Sequence, residues 1–101
     1  MKFPKIEIDD DIIYELAKKY KIIELSLFGS ALRNDFSDQS DLDFLVVFSP
    51  ETDYSYFDII DIKDSFESAT KRKVDIIEKA SLRNPFRRKE ILETAKVIYA
   101  A

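Results

Sequence analysis

The chain has 101 residues, 20 acidic and 16 basic side chains, a single Gly, and no His, Cys or Trp. The missing residue types exclude disulfide bonds, zinc fingers and catalysis by an imidazole or a thiolate. Any chemistry must use carboxylates, hydroxyls, Lys, Arg and backbone groups, and any metal must be a hard ion such as Mg²⁺ or Mn²⁺. The length suits one domain over residues 1–101, and the net charge of −4 argues against direct nucleic-acid binding.

The composition favours a compact protein that acts away from membranes. Its hydrophobic content of 46%, with eight Phe, supports a packed core rather than a disordered chain. The longest apolar run, residues 44–48, is too short to span a membrane. The first eleven residues are too acidic and too weakly apolar for a secretory signal. We therefore expect a cytoplasmic protein.

Charge is divided unevenly along the chain. Residues 1–61 carry 6 basic and 14 acidic side chains, a net charge of −8, whereas residues 62–101 carry 10 basic and 6 acidic ones, a net charge of +4. Two interpretations remain open. Either these are solvated helix faces, or a basic cluster meets an anionic ligand or partner; that cluster consists of Arg83, Arg87, Arg88 and Lys89.

Apolar spacing predicts the elements in the order α-β-α-β-α-β-α. A helix is expected after the acidic residues 9–11, and strands are expected at residues 22–28, 41–48 and 73–77. In the first strand we expect one apolar face, formed by Ile23, Leu25 and Leu27. Residues 31–36 could form about two helical turns, and residues 37–40 resemble a turn.

Two further helices complete this order. A capping box of Ser55 and Asp58 marks the start of one, and the Asn84-Pro85 pair marks the start of the last, whose apolar face is expected to extend to Tyr99. The order predicts an α/β (α+β) fold in which helices pack on a small three-stranded mixed sheet. If the capped helix is a crossover connection, the second and third strands run parallel.

The residues that indicate chemistry are Gly29-Ser30 and, after ten intervening residues, Asp41-Leu42-Asp43. Side chains two positions apart on a strand share a face, so the two carboxylates project together, and paired carboxylates repel unless a cation lies between them. A glycine at a strand-to-helix junction permits a positive φ and lets a phosphate approach the backbone and the Ser30 hydroxyl. The bland alternatives are a solvated strand end and an ordinary turn glycine.

A third carboxylate, Asp75, lies among apolar residues on the predicted third strand. An unpaired Asp is costly to bury there. If the second and third strands are parallel, their starts lie together and bring Asp75 close to Asp41 and Asp43. The alternative is an edge-strand Asp that faces solvent.

This pattern resembles the nucleotidyltransferase superfamily with the DNA polymerase β-like fold, and more closely its minimal nucleotidyltransferases. Those are the MntA-type (MNT) antitoxins paired with HEPN-domain toxins. The segments that carry the resemblance are residues 29–34, residues 40–46, Val74-Asp75 and the C-terminal stretch ending in Tyr99. The resemblance covers nearly the whole chain. One departure is Asn34, where many relatives have Gly; Asn tolerates left-handed conformations, so the turn is expected to be kept.

The resemblance implies an enzyme that transfers AMP from ATP to a hydroxyl. It implies that Asp41, Asp43 and Asp75 are catalytic and bind Mg²⁺ or Mn²⁺, with Asp75 helping to deprotonate the acceptor. It also implies that Gly29 and Ser30 hold the β- and γ-phosphates. Arg33 either supports those phosphates or is a solvent-facing helix residue.

The resemblance further implies a type VII toxin–antitoxin pair, in which the acceptor is a Tyr of the HEPN partner. A chain of 101 residues has little surface left to enclose an acceptor, so we expect a partner protein to bring it. Two alternatives remain: a non-catalytic antitoxin or scaffold that binds a HEPN partner, and a small-molecule nucleotidyltransferase of the aminoglycoside-modifying kind. A plain acidic interaction module leaves the Gly-Ser and Asp-x-Asp spacing unexplained.

Overall fold

The computed structural model describes residue 2, residues 7–32, residue 37 and residues 40–101. Three helices and four strands alternate along this part of the chain. The helices are α1 (Asp10–Lys19), α2 (Tyr56–Thr70) and α3 (Pro85–Thr94), and the strands are β1 (Ile22–Phe28), β2 (Leu42–Phe48), β3 (Val74–Glu78) and β4 (Lys96–Ala100). Short 3₁₀ turns follow β1 at Gly29–Leu32 and β3 at Lys79–Ser81.

The four strands form one mixed sheet in the order β3-β2-β1-β4. Strand β1 is antiparallel to both β2 and β4, whereas β2 and β3 are parallel. The α2 helix therefore is the crossover connection that the sequence predicted, because a parallel pair requires a long return segment. The α/β class is confirmed, with four strands rather than three.

Helix ends follow local sequence signals. The Asp9 carboxylate accepts hydrogen bonds from the backbone N–H groups of Asp11 and Ile12 at the start of α1. At the start of α2, the Ser55 hydroxyl and the Asp58 carboxylate form the predicted capping box. Asn84 caps α3, with Pro85 at its first turn. The capping box and the Asn84-Pro85 start were predicted and are confirmed, because capping depends on contacts within a few residues. The cap at Asp9 was not predicted, and α1 begins at Asp10 rather than after Asp11.

The two faces of the sheet bury different clusters. The larger core lies under α1 and α2; its fully buried members include Ile13, Leu25, Leu27, Phe44, Val46, Ile62 and Phe66. A smaller cluster lies on the opposite face, beneath α3, and contains Phe28, Leu45, Leu82 and Ile91. Because side chains alternate along a strand, Asp43 and Leu45 of β2 share the face covered by α3.

The predicted last helix is wrong beyond Thr94. Ala95 is already extended, and β4 pairs with the free edge of β1 in the register Leu25 to Tyr99 and Leu27 to Lys96. The spacing of apolar residues fitted a helix, but Val97, Ile98 and Tyr99 are residue types that favour strands. Pairing with β4 satisfies the backbone groups along the edge of β1, which a longer helix would leave without a strand partner.

The predicted apolar face of β1 is partly wrong. Leu25 and Leu27 are buried, but the pairing with β2 shifts between Ile22 and Glu24. This irregularity places Ile22 in the core and leaves Ile23 36% exposed. A bulge reverses the alternation of faces at one point, which a strict two-residue period does not predict.

Candidate active site

The candidate site lies where three strands meet at the polar start of β2. Asp43 of β2 is half-buried and is paired on one side with Phe28 of β1 and on the other with Asp75 of β3. Partners in register on neighbouring strands lie about 4.8 Å apart and point to the same face. The predicted proximity of Asp75 to Asp43 therefore follows directly from the parallel pairing. Asp75 is also exposed on an edge strand, as the alternative interpretation held.

Asp41 lies just before β2, at the same end of the strands as Asp43 and Asp75. It is exposed and precedes β2, two positions before Asp43. The backbone N–H of Leu42 donates a 2.9 Å hydrogen bond to the carbonyl of Lys73, which ties the start of β2 to the start of β3. This tie holds the backbone that carries Asp41 beside the strand that carries Asp75.

Gly29 directly follows β1 and begins the 3₁₀ turn that leaves the sheet next to Asp43. Its φ is +76°, in the left-handed region that favours glycine. A Cβ built on Gly29 would collide with the carboxylate of Asp43. The single glycine of the chain therefore both adopts this conformation and allows a carboxylate to approach closely. Ser30, half-buried, follows it in the 3₁₀ turn.

The carboxylate oxygens of Asp41, Asp43 and Asp75 are suitable ligands for a hard divalent cation, although their side chains do not surround a common point. Carboxylate oxygens are the ligands that Mg²⁺ prefers. Among the residues that the structure describes, no group of three acidic side chains is close enough to hold a metal ion as placed. The backbone nevertheless brings Asp43 and Asp75 into register, with Asp41 two positions before Asp43.

Arg33 and Asn34 lie outside the described residues, so the predicted contact of Arg33 with phosphate stays a prediction. The predicted turn at residues 37–40 is described in part: the backbone N–H of Ser40 donates to the carbonyl of Ser37. The guanidinium of Arg72 also donates to that carbonyl. The loop before Asp41 is thus connected to the segment that leads into β3.

A cavity of about 510 Å³ adjoins Gly29 on the side of α3, and we call it the α3 cavity. Gly29 and residues of α3, among them Arg87 and Glu90, line it. The sequence interpretation named Arg87 only as part of a basic cluster and did not consider Glu90. The sequence feature that could have identified the pair is their spacing of three residues, which places both on one face of a helix.

The basic cluster is not one functional unit. The Arg88 guanidinium donates to the backbone carbonyls of Lys79 and Leu82, at 3.2 and 3.3 Å, so it holds the turn after β3. Lys89 pairs with Glu93 at 3.9 Å on the exposed surface of α3. Only Arg87 of the cluster lines the α3 cavity.

Comparison with known proteins agrees with this geometry. Residues 10–101 match the model of the family described as polymerase beta, nucleotidyltransferase. A Methanocaldococcus jannaschii protein assigned to the protein adenylyltransferases is 36% identical over 78 residues, covering 77% of this chain and 78% of its own length. The protein adenylyltransferase MntA of Thermococcus cleftensis is 31% identical over 70 residues, covering 69% of each chain.

Solved structures show the same fold at lower identity. A toxin–antitoxin crystal structure with AMP-PNP aligns with a TM-score of 0.75 at 18% identity, covering 93% of this chain and 75% of that one. A complex of a tri-AMPylated Shewanella oneidensis HEPN toxin with its MNT antitoxin aligns with a TM-score of 0.66 at 18% identity, covering 91% and 70%.

The chain therefore belongs to the polymerase β nucleotidyltransferase family, and the expectation that it is a nucleotidyltransferase is confirmed. In the part of the chain that the structure describes, no helix is long and apolar enough to cross a membrane.

Proposed function

We propose that this protein is a cytoplasmic, Mg²⁺-dependent adenylyltransferase that transfers AMP from ATP to a tyrosine hydroxyl of a HEPN toxin and so acts as its antitoxin. The observation that carries the proposal is the placement of Asp43 in register with Asp75 and against the backbone of Gly29. That placement supports the proposal because two carboxylates and a backbone turn without a side chain lie close together, as a site for a metal-bound triphosphate requires. The similarity to MntA and to the antitoxin of an AMPylated HEPN complex supports the choice of acceptor.

The proposed reaction is a displacement at the α-phosphorus of ATP. The acceptor oxygen forms a bond to that phosphorus, while the bond from the phosphorus to the oxygen that bridges the α- and β-phosphates breaks. Pyrophosphate leaves with the bridging oxygen, and the hydroxyl proton passes to a carboxylate. Asp75 suits this last role because it is exposed on an edge strand, where an incoming hydroxyl can reach it.

The remaining site residues position the donor. Gly29 and Ser30 hold the β- and γ-phosphates, since the turn after β1 has no side chain at its first position to block them. Arg33 is assigned to the same phosphates. Asp41, Asp43 and Asp75 would hold Mg²⁺ or Mn²⁺, which would neutralise triphosphate charge and stabilise the leaving pyrophosphate.

The test is the intact mass of the HEPN partner after incubation with this protein, ATP and Mg²⁺. Wild type is expected to make the partner heavier by one or more AMP units. The Asp41→Asn/Asp43→Asn variant is expected to lose this activity by about a thousandfold or more, because charge neutralisation supplies several kcal/mol of the barrier reduction.

A matched control removes two carboxylates from elsewhere. Asp61 and Asp64 are exposed on α2, which packs on the sheet face opposite Asp43. The Asp61→Asn/Asp64→Asn variant is expected to modify the partner at the wild-type rate. A wild-type complex that forms without any mass shift would instead support a non-catalytic antitoxin. Modification of a small molecule but not of the partner would support the aminoglycoside-modifying alternative.

A further inference from the structure

The α3 cavity has the dimensions and wall chemistry of a small-molecule site. Its volume of about 510 Å³ lies within the range of roughly 300–1,000 Å³ that is typical of ligand cavities. Phe28, Leu32 and Ile91 supply apolar surface. An apolar wall with a few polar groups is the usual composition of a site for a drug-sized or cofactor-sized molecule.

Helix α3 supplies the polar groups. Arg87, Glu90 and Thr94 line the cavity at helical positions i, i+3 and i+7, which share one face. The Thr94 hydroxyl donates to the carbonyl of Glu90 within the helix, at 2.8 Å. Arg87 and Glu90 therefore supply one cation and one carboxylate at the edge of an apolar surface.

Gly29 joins this cavity to the candidate active site. Its backbone borders the carboxylate of Asp43 and also lines the α3 cavity. A molecule whose phosphates lie against Gly29 can therefore extend into the cavity without crossing a side chain at that position. This continuity distinguishes the α3 cavity from another cavity of the described surface, which lies between the start of α1 and the end of α2 and is lined by Ile12 and Arg72 among others.

We propose that the α3 cavity binds the nucleoside part of the nucleotide donor, an inference that rests on the function proposed above. The apolar wall contacts the base. The Glu90 carboxylate accepts hydrogen bonds from ribose hydroxyls or a base amino group, and the planar Arg87 guanidinium stacks on the base. Arg87 and Glu90 are then the residues that distinguish a nucleoside triphosphate from inorganic triphosphate.

The sheet order favours the donor over the acceptor as the occupant. Across the strands, Asp75, Asp43 and Phe28 follow one another, and the cavity begins beyond Phe28. An acceptor hydroxyl that delivers its proton to Asp75 approaches from the β3 edge. The cavity on the far side of Asp43 is then left for the donor.

The test separates the contribution of the nucleoside to binding from that of the phosphates. Binding of ATP and of inorganic tripolyphosphate is measured by calorimetry in Mg²⁺ for three proteins: wild type, Arg87→Ala/Glu90→Ala and Lys89→Ala/Glu93→Ala. The third is a matched control, because it also removes one cation and one carboxylate from exposed positions of α3 but from a pair outside the cavity. Thermal unfolding followed by circular dichroism verifies that each variant is folded.

The Arg87→Ala/Glu90→Ala variant is expected to bind ATP about tenfold or more weakly, a loss of about 1.4 kcal/mol or more. It is expected to bind tripolyphosphate within twofold of wild type, because the hydrogen bonds that it loses are those to the nucleoside. The control is expected to bind both within twofold of wild type. Unchanged ATP affinity in the first variant would overturn the inference, as would an equal loss for both ligands or a loss of transfer with ATP affinity intact. Failure of wild type to bind either ligand would overturn the proposed function as well.

Discussion

Gly29 shows how one residue can satisfy two demands of a site. Its φ of +76° disfavours any side chain, and the carboxylate of Asp43 occupies the space that a Cβ would need. The chain accepts the left-handed region at Lys21 and Lys71 with ordinary side chains, at φ values of 57° and 59°. Conformation alone therefore does not require glycine in this protein. The close approach of Asp43 is the additional reason at position 29.

A double-mutant cycle at Gly29 and Asp43 separates the two demands. Gly29→Ala is expected to lower the free energy of unfolding through both the left-handed conformation, about 1–2 kcal/mol, and the collision with Asp43. In an Asp43→Ala background the collision is absent, so Gly29→Ala should cost only the conformational part. We expect a coupling energy of about 0.5–3 kcal/mol from urea unfolding. Additive losses would show that Asp43 does not crowd Gly29.

Asp43 and Asp75 are two carboxylates in register on neighbouring strands. Like charges opposite one another destabilise a sheet, by an amount on the order of the 0.2–1 kcal/mol found for cross-strand pairs. Such a pair is reasonable where a cation or a substrate offsets the repulsion. Stability is thus expected to be lower at this site than elsewhere in the sheet, which is a common property of functional sites.

Removing one of these charges should stabilise the metal-free protein. Asp75→Asn is expected to raise the free energy of unfolding by a few tenths of a kcal/mol in the presence of a chelator. The same variant should gain less stability than wild type when Mg²⁺ is added, because it lacks the Asp75 carboxylate that we propose would hold the ion. Thermal unfolding with and without Mg²⁺ measures both effects. A variant less stable than wild type in chelator would contradict the repulsion.

Among the secondary-structure elements, β4 shows most clearly how tertiary pairing overrides a helical sequence pattern. Its residues can be read as the end of an amphipathic helix, yet they pair with β1 and complete the sheet. Within the strand, Ile98 is 7% exposed and Val97 is 54% exposed. Because neighbouring side chains of a strand point to opposite faces, Ile98 is buried and Val97 is exposed.

That inequality gives a direct test of β4. Ile98→Ala is expected to lower the free energy of unfolding by about 2–4 kcal/mol, because it removes buried methyl groups from the larger core. Val97→Ala, the adjacent control, should cost no more than about 0.5 kcal/mol, because its side chain is solvated. Urea unfolding at equilibrium measures both changes. Losses of equal size would contradict the pairing of β4 with β1.

For the whole molecule, the sheet order places the candidate carboxylates Asp43 and Asp75 on strands at different depths. Strands β1 and β2 are central, with a neighbour on each side, whereas β3 and β4 are edges. The larger core and the smaller α3 cluster cover β1 and β2 from opposite faces. Asp43 is therefore carried by a strand in the most constrained part of the fold, and Asp75 by a strand at its margin.

Hydrogen exchange should follow this order. Backbone amides of β1 and β2 are expected to exchange slowest, since opening them disrupts two strand pairings and both cores, and amides of β3 and β4 should exchange faster. Mass spectrometry of peptides that cover each strand measures the difference. Slower exchange in β3 than in β1 would contradict the described sheet order.

The sequence alone was sufficient to predict much of this fold and the candidate site. The strand that ends at Phe28 just before Gly29 and the capped helix before Asp75 both depend on contacts between near neighbours in the chain. Because that helix is long enough to return the chain, the parallel pairing of β2 and β3 also followed, and with it the position of Asp75 beside Asp43. The predicted pairing of Asp41 and Asp43 on one strand face stays a prediction, because Asp41 precedes β2.

The tertiary structure decided the features that depend on distant partners. The stretch ending in Tyr99 became β4 because β1 had an unpaired edge, and Ile22 rather than Ile23 entered the core because the register with β2 shifts. Arg87 and Arg88 are neighbours in sequence, yet one lines the α3 cavity and the other holds a turn through backbone carbonyls. Spacing along a helix places such residues on faces, but only the packing of that helix against the sheet determines what each face meets.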